Sequence, residues 1–366
     1  MMNPSKRKKT LLTLAFSALL AAGGSLNPPG AAAAEVTTAA AAPSSLPVVQ
    51  QTILIDGKTA VIPVIYSEGS TYIGLRALTE GLGLAVEWNE AERTASVTGR
   101  SRTLKVNPDN GTYNLNGGKM YGEWPLLQDG SLYVPLRFLL ERLGYGVTYD
   151  EAAKQIGIET IQENQLSVVT VTADSGNPMV EVQYPQVEGF ADAAVQKKMN
   201  DVLRAQGEAA VAEGIKIVTE AEKGNQEIKS ESPEVEIPPS LFSSSYTVTS
   251  NEQGKLSLYV DQYQYTGGAH GGTARRGYTF DLKTGELLTL KAAAADHPDY
   301  VSIINRTIQN NIKDTELYLL TPFETIQPDR NYYLSHEGIV IYFQQYEYTP
   351  YAAGMPEFII PYSAFK

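Results

Sequence analysis

One histidine, His270, stands among four glycines in the stretch Gln264–Asp281, QYTGGAHGGTARRGYTFD. An imidazole in such a turn can act as a general base, as a metal ligand, or as a brace for the backbone. A base needs a nucleophile in reach and an acid to orient it. Thr, Tyr and Asp are near in sequence, but no Gly-x-Ser-x-Gly elbow accompanies them. A metal ligand would want a second histidine two to four residues away, and none is there. The other two histidines, His297 and His336, are distant in sequence. The structural reading is simpler. Gly267, Gly268, Gly271 and Gly272 permit positive φ and close backbone approach, so the segment reads as a bulged turn between two strands, with His270 bonded to neighbouring backbone groups. A lone histidine lacks the partners that catalysis demands, and the structural reading is preferred.

Tyrosines form the second constellation. Thirteen of the 22 lie from Tyr259 onward, and Tyr342, Tyr346, Tyr348 and Tyr351 crowd into YFQQYEYTPY. Aromatic residues favour strands, so sheet packing is one reading. The other is an exposed platform for a sugar ring or a protein partner. Ile339, Ile341 and Phe343 alternate with Val340 and Tyr342, which leaves neither face polar. The candidate ligand surface is therefore His270 with Tyr263, Tyr265, Tyr342, Tyr346, Tyr348 and Tyr351, shaped by the four glycines. Glu227, Glu231, Glu234 and Glu236 fall in KGNQEIKSESPEVEIPPS, which reads as a solvated acidic loop able to steer a basic partner. No EF-hand, P-loop or dinucleotide fingerprint occurs. The chain has no cysteine, hence no disulfide, thiolate nucleophile or thiolate metal site. The expectation is a non-enzymatic protein with no catalytic residue, no metal and no cofactor.

These residues need elements to hold them. The 366 residues, 43% hydrophobic, suffice for two or three domains. At the start, Lys6, Arg7, Lys8 and Lys9 precede an apolar run, Leu11–Ala22, and an Ala-rich site at Ala32–Ala34. That order reads as a secretory signal peptide over 1–34; an uncleaved anchor is the alternative. The apolar run is short for a bilayer span, so no transmembrane anchor is expected after cleavage. Cleavage after Ala34 leaves 25 basic residues against 41 acidic ones, a formal charge of −16. Such a charge argues against nucleic acid and anionic membranes as partners. The expected location is extracellular, at the cell wall or free. Residues 35–50 read as a linker rich in Ala, Thr, Ser and Pro.

From 51 to 163 an internal repeat appears with an offset of 61 residues. Tyr72 matches Tyr133, Leu75 matches Leu136, Arg76 matches Arg137, Leu82-Gly83 matches Leu143-Gly144, and Trp88 matches Tyr149. Each copy reads as a short strand, a helix with leucines at helical spacing, a glycine stop and a β-pair. Arg76 and Arg137 read as salt bridges tying strand to helix. Asn110-Gly111 and Asn116-Gly117 mark hairpin turns between the copies. The doubled Tyr-[Ile/Val]-x-Leu-Arg-x-Leu and Leu-Gly-x-x-Val-x-[Trp/Tyr] pattern resembles the copper amine oxidase N-terminal-like domain of secreted Gram-positive proteins. That family is an accessory domain, and the copper chemistry in its name calls for three clustered histidines that this stretch lacks.

Residues 165–366 read as an α+β unit with an antiparallel sheet and two main helices, in a first part (165–260) and a second part (261–366). The first helix is expected over GFADAAVQKKMNDVLRAQGEAAVAEGIKIV, the second over PDYVSIINRTIQNNIKD. The pieces YQYTGGAHG, YTFDLKTGELLTL and HEGIVIYFQQYEYTPYAAGMPEFIIPYS resemble the extracellular domain shared by RsiV-type anti-sigma factors and the accessory region of PdaC-type peptidoglycan deacetylases. The resemblance implies lysozyme binding in the first case and placement beside a catalytic domain in the second. Only ten residues precede the apolar run and no deacetylase domain follows, so neither the sigma-factor role nor the deacetylase role is carried over. The expected function is a secreted cell-envelope protein that binds lysozyme or a peptidoglycan glycan. A structural wall-associated module is the alternative, and a peptidoglycan hydrolase or deacetylase is the third reading.

Overall fold

The structure, a computed structural model, describes residues 45–366 apart from Glu151. The signal-peptide reading and most of the 35–50 linker lie outside the described residues. The linker ends earlier than composition suggests. Leu46 N already donates to Gln128 Oε1 at 2.7 Å, and the first strand starts at Val48.

The first domain opens with β1 (Val48–Ile55), β2 (Lys58–Ser67), β3 (Ser70–Gly74) and α1 (Leu75–Leu82). Then come β4 (Ala85–Asn89), β5 (Thr94–Gly99), β6 (Arg102–Asn107), β7 (Thr112–Leu115) and β8 (Gly118–Met120). It closes with β9 (Leu126–Gln128), β10 (Ser131–Pro135), α2 (Leu136–Arg142), β11 (Tyr145–Asp150) and β12 (Gln155–Thr160). The repeat is visible as two strand–helix units. Their strands, β3 and β10, are antiparallel neighbours, with Ile73 opposite Val134. Leu75 and Leu78 of α1 join Leu136, Leu139 and Leu140 of α2 in one buried core. The helices stop where the glycines stand: Gly83 takes φ +66° and donates to Leu78 O, and Gly144 takes φ +83°. The copies then diverge. β4 and β5 join a sheet of order β4-β5-β6-β7-β8, whereas β12 pairs parallel with β1 in the sheet β11-β12-β1-β2-β3-β10-β9.

The second domain contains β13 (Ser167–Ala173), β14 (Val180–Glu188), α3 (Ala193–Glu231), β15 (Leu241–Glu252), β16 (Lys255–Tyr265) and β17 (Gly272–Asp281). It continues with α4 (Leu290–Ala293), α5 (Tyr300–Asp314), β18 (Tyr332–Leu334), β19 (Gly338–Tyr342) and β20 (Glu357–Pro361). A five-stranded sheet, β13-β14-β15-β16-β17, carries α3; a three-stranded sheet, β18-β19-β20, carries α5. Separate sheets with helices laid on them make the chain α+β. Asp192 caps α3 by accepting from the Ala194 and Val195 amides. Gly207 and Gly214 let the helix approach the sheet: a methyl at either would lie 2.5 Å from the ring of Tyr184 or Phe242.

Helix α3 runs thirteen residues past its last buried side chain, Val218, to Glu231. The polar stretch KGNQEIKSE is helical, and only Pro233 stops it. Polarity alone misread this segment as loop, although Glu, Gln and Lys are strong helix formers. Glu227 and Glu231 therefore sit on the helix, and Glu234 and Glu236 on the loop after it.

Residues 45–366 form one compact unit. Lys119 Nζ reaches Glu181 at 2.7 Å, and the Lys119 amide donates to Gln183 Oε1 at 2.8 Å. Arg137 Nη1 contacts both Glu141 and Glu337 at 3.0 Å, so this repeat arginine bridges its own helix to the second domain rather than to a strand. His336 of the second domain lies against Gly146 and pairs with Glu252 at 3.0 Å.

Candidate functional site

Strands β16 and β17 form a hairpin with Gln264 opposite Gly272, so residues 266–271 are its tip. His270 is exposed there, and its ring stacks on Tyr351 with centroids 3.9 Å apart and planes at 19°. Tyr346 lies on the same group, with its centroid 6.2 Å from His270 and 5.7 Å from Tyr351. His270 Nδ1 lies 3.0 Å from Gly271 O, and Nε2 lies 3.2 Å from the Tyr346 hydroxyl. A neutral ring satisfies both contacts: Nδ1–H donates to the carbonyl and Nε2 accepts from the phenol. This tautomer is inferred from the hydrogen-bond partners.

Two of the four glycines are required by the geometry. Gly267 has φ +98°, and a methyl there would lie 2.7 Å from Ile237 and 2.9 Å from Asn225. A methyl on Gly271 would overlap the Tyr263 ring and lie 2.5 Å from Gln264 O. Gly268 faces open space and Gly272 has only Gln345 nearby at 3.9 Å, neither with positive φ. The assignment of a backbone-shaping role to all four is thus corrected to Gly267 and Gly271.

The loop 343–350 that carries Tyr346 is bound to the hairpin by glutamine side chains. Gln345 Oε1 accepts from the Thr273 amide at 2.7 Å; Gln344 accepts from the Arg275 amide at 2.9 Å and donates to Arg275 O at 2.6 Å. The two side chains stand in for an extra strand along β17, satisfying its open edge. Arg330 grips the loop through Glu347 and Tyr342 O. Burial alone would raise the Glu347 carboxyl, but Arg330 and the Gln344 amide outweigh it and hold it below the usual carboxylate range. Tyr346 itself takes φ +63°, a left-handed conformation that costs a β-carbon residue about 1–2 kcal/mol.

Beneath this loop, Arg275 is buried between Asp261, at 2.7 and 2.8 Å, and Glu357. Its guanidinium lies 3.7 Å from the Tyr259 ring centroid. Burial opposes the charge, but Asp261, Tyr259 and Glu357 outweigh it and keep the guanidinium protonated. Sequence reasoning missed Arg275, Asp261 and the two glutamines. The only signal was the cross-strand position of an Arg and an Asp on either side of the turn.

The structure divides the candidate tyrosines. Tyr346 and Tyr351 meet His270. Tyr263 is half-buried against Gly271, and Tyr265 ends β16 opposite Leu241 on the same strand face as Tyr263. Tyr342 and Tyr348 do not belong to the surface. Tyr342 is 1% exposed, with its hydroxyl among Asn331, Arg275 O and the Gly277 amide, and burial pushes it up to about 12. Tyr348 packs on Phe343 and Phe323 at 4.5 and 5.5 Å. Tyr342 is a core residue, which the unclear alternation along 339–343 concealed, and Tyr348 is partly buried against the core.

The hairpin tip has a second flank. Its Gly267 abuts Asn225 of α3 and Ile237 of the following loop. That arm exposes Glu222, Glu227, Glu231, Glu234 and Glu236 against Lys223 and Lys229. The site is thus an exposed aromatic stack with a carboxylate-rich arm beside it. Among the described residues no group of three or more His, Cys, Asp and Glu is placed to hold a metal. The first domain contains no histidine, so the residues do not fit a copper centre of the kind that its family name suggests.

Residues 52–158 match the model of the copper amine oxidase N-terminal domain, residues 172–273 that of Deacetylase PdaC, and residues 294–363 that of a protein of unknown function, DUF3298. Anti-sigma-V factor RsiV of Bacillus subtilis is 26% identical over 208 residues, which are 54% of this chain and 67% of the relative. Among solved structures, a DUF3298 family member from Bacteroides fragilis is 19% identical, with a TM-score of 0.41 over 54% of this chain and 90% of its own. A DUF3298 family protein from Pseudomonas aeruginosa is 15% identical, with a TM-score of 0.32 over 55% and 93%. The chain joins a segment similar to the copper amine oxidase N-terminal domain to one similar to PdaC and the anti-sigma factor RsiV, as its motifs indicated, and the second segment is also similar to DUF3298.

Proposed function

We propose that this is a secreted, non-enzymatic cell-envelope protein whose second domain docks a basic protein, lysozyme, at the hairpin tip. The observation that carries the reading is the juxtaposition at Gly267–His270: stacked aromatics on one side, an acidic arm on the other. Stacked tyrosines offer rigid contact area at low entropic cost. Carboxylates at the rim speed encounter with a cationic partner and fix its orientation. The RsiV resemblance supports lysozyme in particular. The lone His270, held by a carbonyl and a phenol, has no carboxylate bonded to it to orient it as a base, which supports binding over catalysis.

The test is calorimetric titration of the chain lacking residues 1–34 with lysozyme, at low and at physiological salt. Binding that survives salt supports specific docking; binding abolished by modest salt leaves only charge attraction. Full lysozyme activity in the presence of excess protein would count against inhibition. A muropeptide turnover assay with and without zinc checks the non-enzymatic part. A second reading, attachment to peptidoglycan, is favoured by the first domain. Tyr121 and Trp124 there are 69% and 60% exposed, and the Trp124 ring is seated over Gly111. Pull-down with insoluble peptidoglycan, and its loss in Trp124→Ala, tests it.

A further inference from the structure

A cleft of about 460 Å³ lies between the two domains, away from the hairpin tip. One wall is the β5–β6 turn and the end of α2; the other is β15 and the segment joining the domains. Three arginines, Arg100, Arg102 and Arg142, line it with Glu141 and Glu163. Gly144 makes this crowding possible: a methyl there would lie 2.5 Å from Arg102, 2.9 Å from Arg100 and 3.0 Å from Glu163.

The charges in the cleft do not cancel. Glu163 is shared between Arg102 at 2.6 Å and Arg100 at 3.3 Å. Glu141 pairs outward with Arg137 at 3.0 Å. Among the described residues Arg142 has no carboxylate partner; it donates to Phe138 O at 3.1 Å and stacks on the Phe138 ring. A positive site has thus been kept inside a chain of net charge −12. Three residues of this cleft, Arg100, Arg142 and Thr249, each hold a buried side-chain atom (Nε, Nε and Oγ1) without a hydrogen-bond partner among the described residues. Buried polar atoms are nearly always satisfied, and three exceptions among the residues of one cleft single it out. Guanidinium N–H groups match carboxylate oxygens best. The side chains of Asn116, Gln162 and Gln165 offer amide complements, and Leu115 and Leu166 an apolar surface.

We propose that the interdomain cleft binds a small peptide-like ligand through its free carboxylate, held by Arg100 and Arg142 with the Thr249 hydroxyl. The volume lies in the range of small-molecule sites and suits a ligand of a few residues. Both domains contribute walls, so the ligand bridges them.

The probes are acetyl-Ala-Ala with a free carboxylate, its C-terminal amide, and inorganic phosphate, each titrated into the purified protein by NMR. The free acid should saturate, with shifts at residues 100–102, 142 and 246–251, and bind at least tenfold more tightly than the amide. Arg142→Gln should weaken the acid tenfold or more. Thr249→Val, which removes only an unpartnered hydroxyl, should weaken it several-fold while leaving the thermal midpoint unchanged or raised; that variant keeps the test valid if Arg142→Gln disturbs folding. Equal binding of acid and amide, no saturation by either, or phosphate binding as tightly as the acid would overturn the assignment. Lysozyme docking at the hairpin is read separately and does not bear on this result.

Discussion

Replacing the glycines of the hairpin tip one at a time separates geometry from composition. At Gly271 an added methyl meets the Tyr263 ring and sits 2.5 Å from Gln264 O. The ring can swing, but the carbonyl belongs to a strand paired across the hairpin, Gln264 to Gly272. Relief therefore requires the end of the ladder to open, and overpacking of this kind costs about 1–3 kcal/mol. At Gly267 the methyl meets Ile237 and Asn225, and φ +98° adds about 1–2 kcal/mol of left-handed strain. At Gly268 the methyl meets nothing and φ is ordinary, so alanine there should be neutral or stabilise by about 0.4–1 kcal/mol through the unfolded chain. Urea unfolding of the three single variants gives these values directly, since the midpoint shifts while the slope stays constant. Gly271→Ala and Gly267→Ala should lower the midpoint clearly, and Gly268→Ala should not. Equal losses in all three, or a neutral Gly271→Ala, would refute the argument that two of the four glycines are fixed by close approach.

Other perturbations follow from the same geometry. Arg275→Met leaves the partly buried Asp261 unpaired, while the exposed Glu357 returns to water; the loss should cost about 1–3 kcal/mol, measurable by calorimetric unfolding. Tyr351→Ala removes the ring stacked on His270 and should weaken lysozyme binding by tenfold or more, with unfolding unchanged to within about 1 kcal/mol for a half-exposed ring. Glu347 has a folded-state pKa below its unfolded value of 4.5, so its contribution is present above that value and lost as pH falls through the lower folded value. Stability measured from pH 5 down to pH 2 should fall in the native protein, and Glu347→Gln should flatten that slope.

The first domain was largely legible in sequence because its signals are local and doubled. Leucines at helical spacing before a glycine appear twice, and each copy supports the other. The turn at Gly267–Gly271 was legible for the same reason, since few residues tolerate its backbone. What failed depended on distant partners. Tyr342 and Tyr346 are four residues apart and equally aromatic, yet one is sealed by Asn331 and Gly277 and the other is held outward by left-handed backbone. Gln344 and Gln345 look like ordinary loop residues until β17 is placed beside them. The last turns of α3 carry no apolar stripe, so a reading based on amphipathicity stopped at the last residue that packs.

The paired helix stops, Gly83 and Gly144, record what followed the duplication of a small unit. Both copies inherited a glycine with positive φ, but their surroundings no longer match. Gly83 has no atom near enough to object to a side chain, so asparagine, which tolerates the same backbone, is an allowed descendant there. At Gly144 three charged side chains, those of Arg100, Arg102 and Glu163, fill the space that a β-carbon would take. Sequence drift among descendants should therefore be permitted at the first position and forbidden at the second, although the two began as the same residue doing the same task.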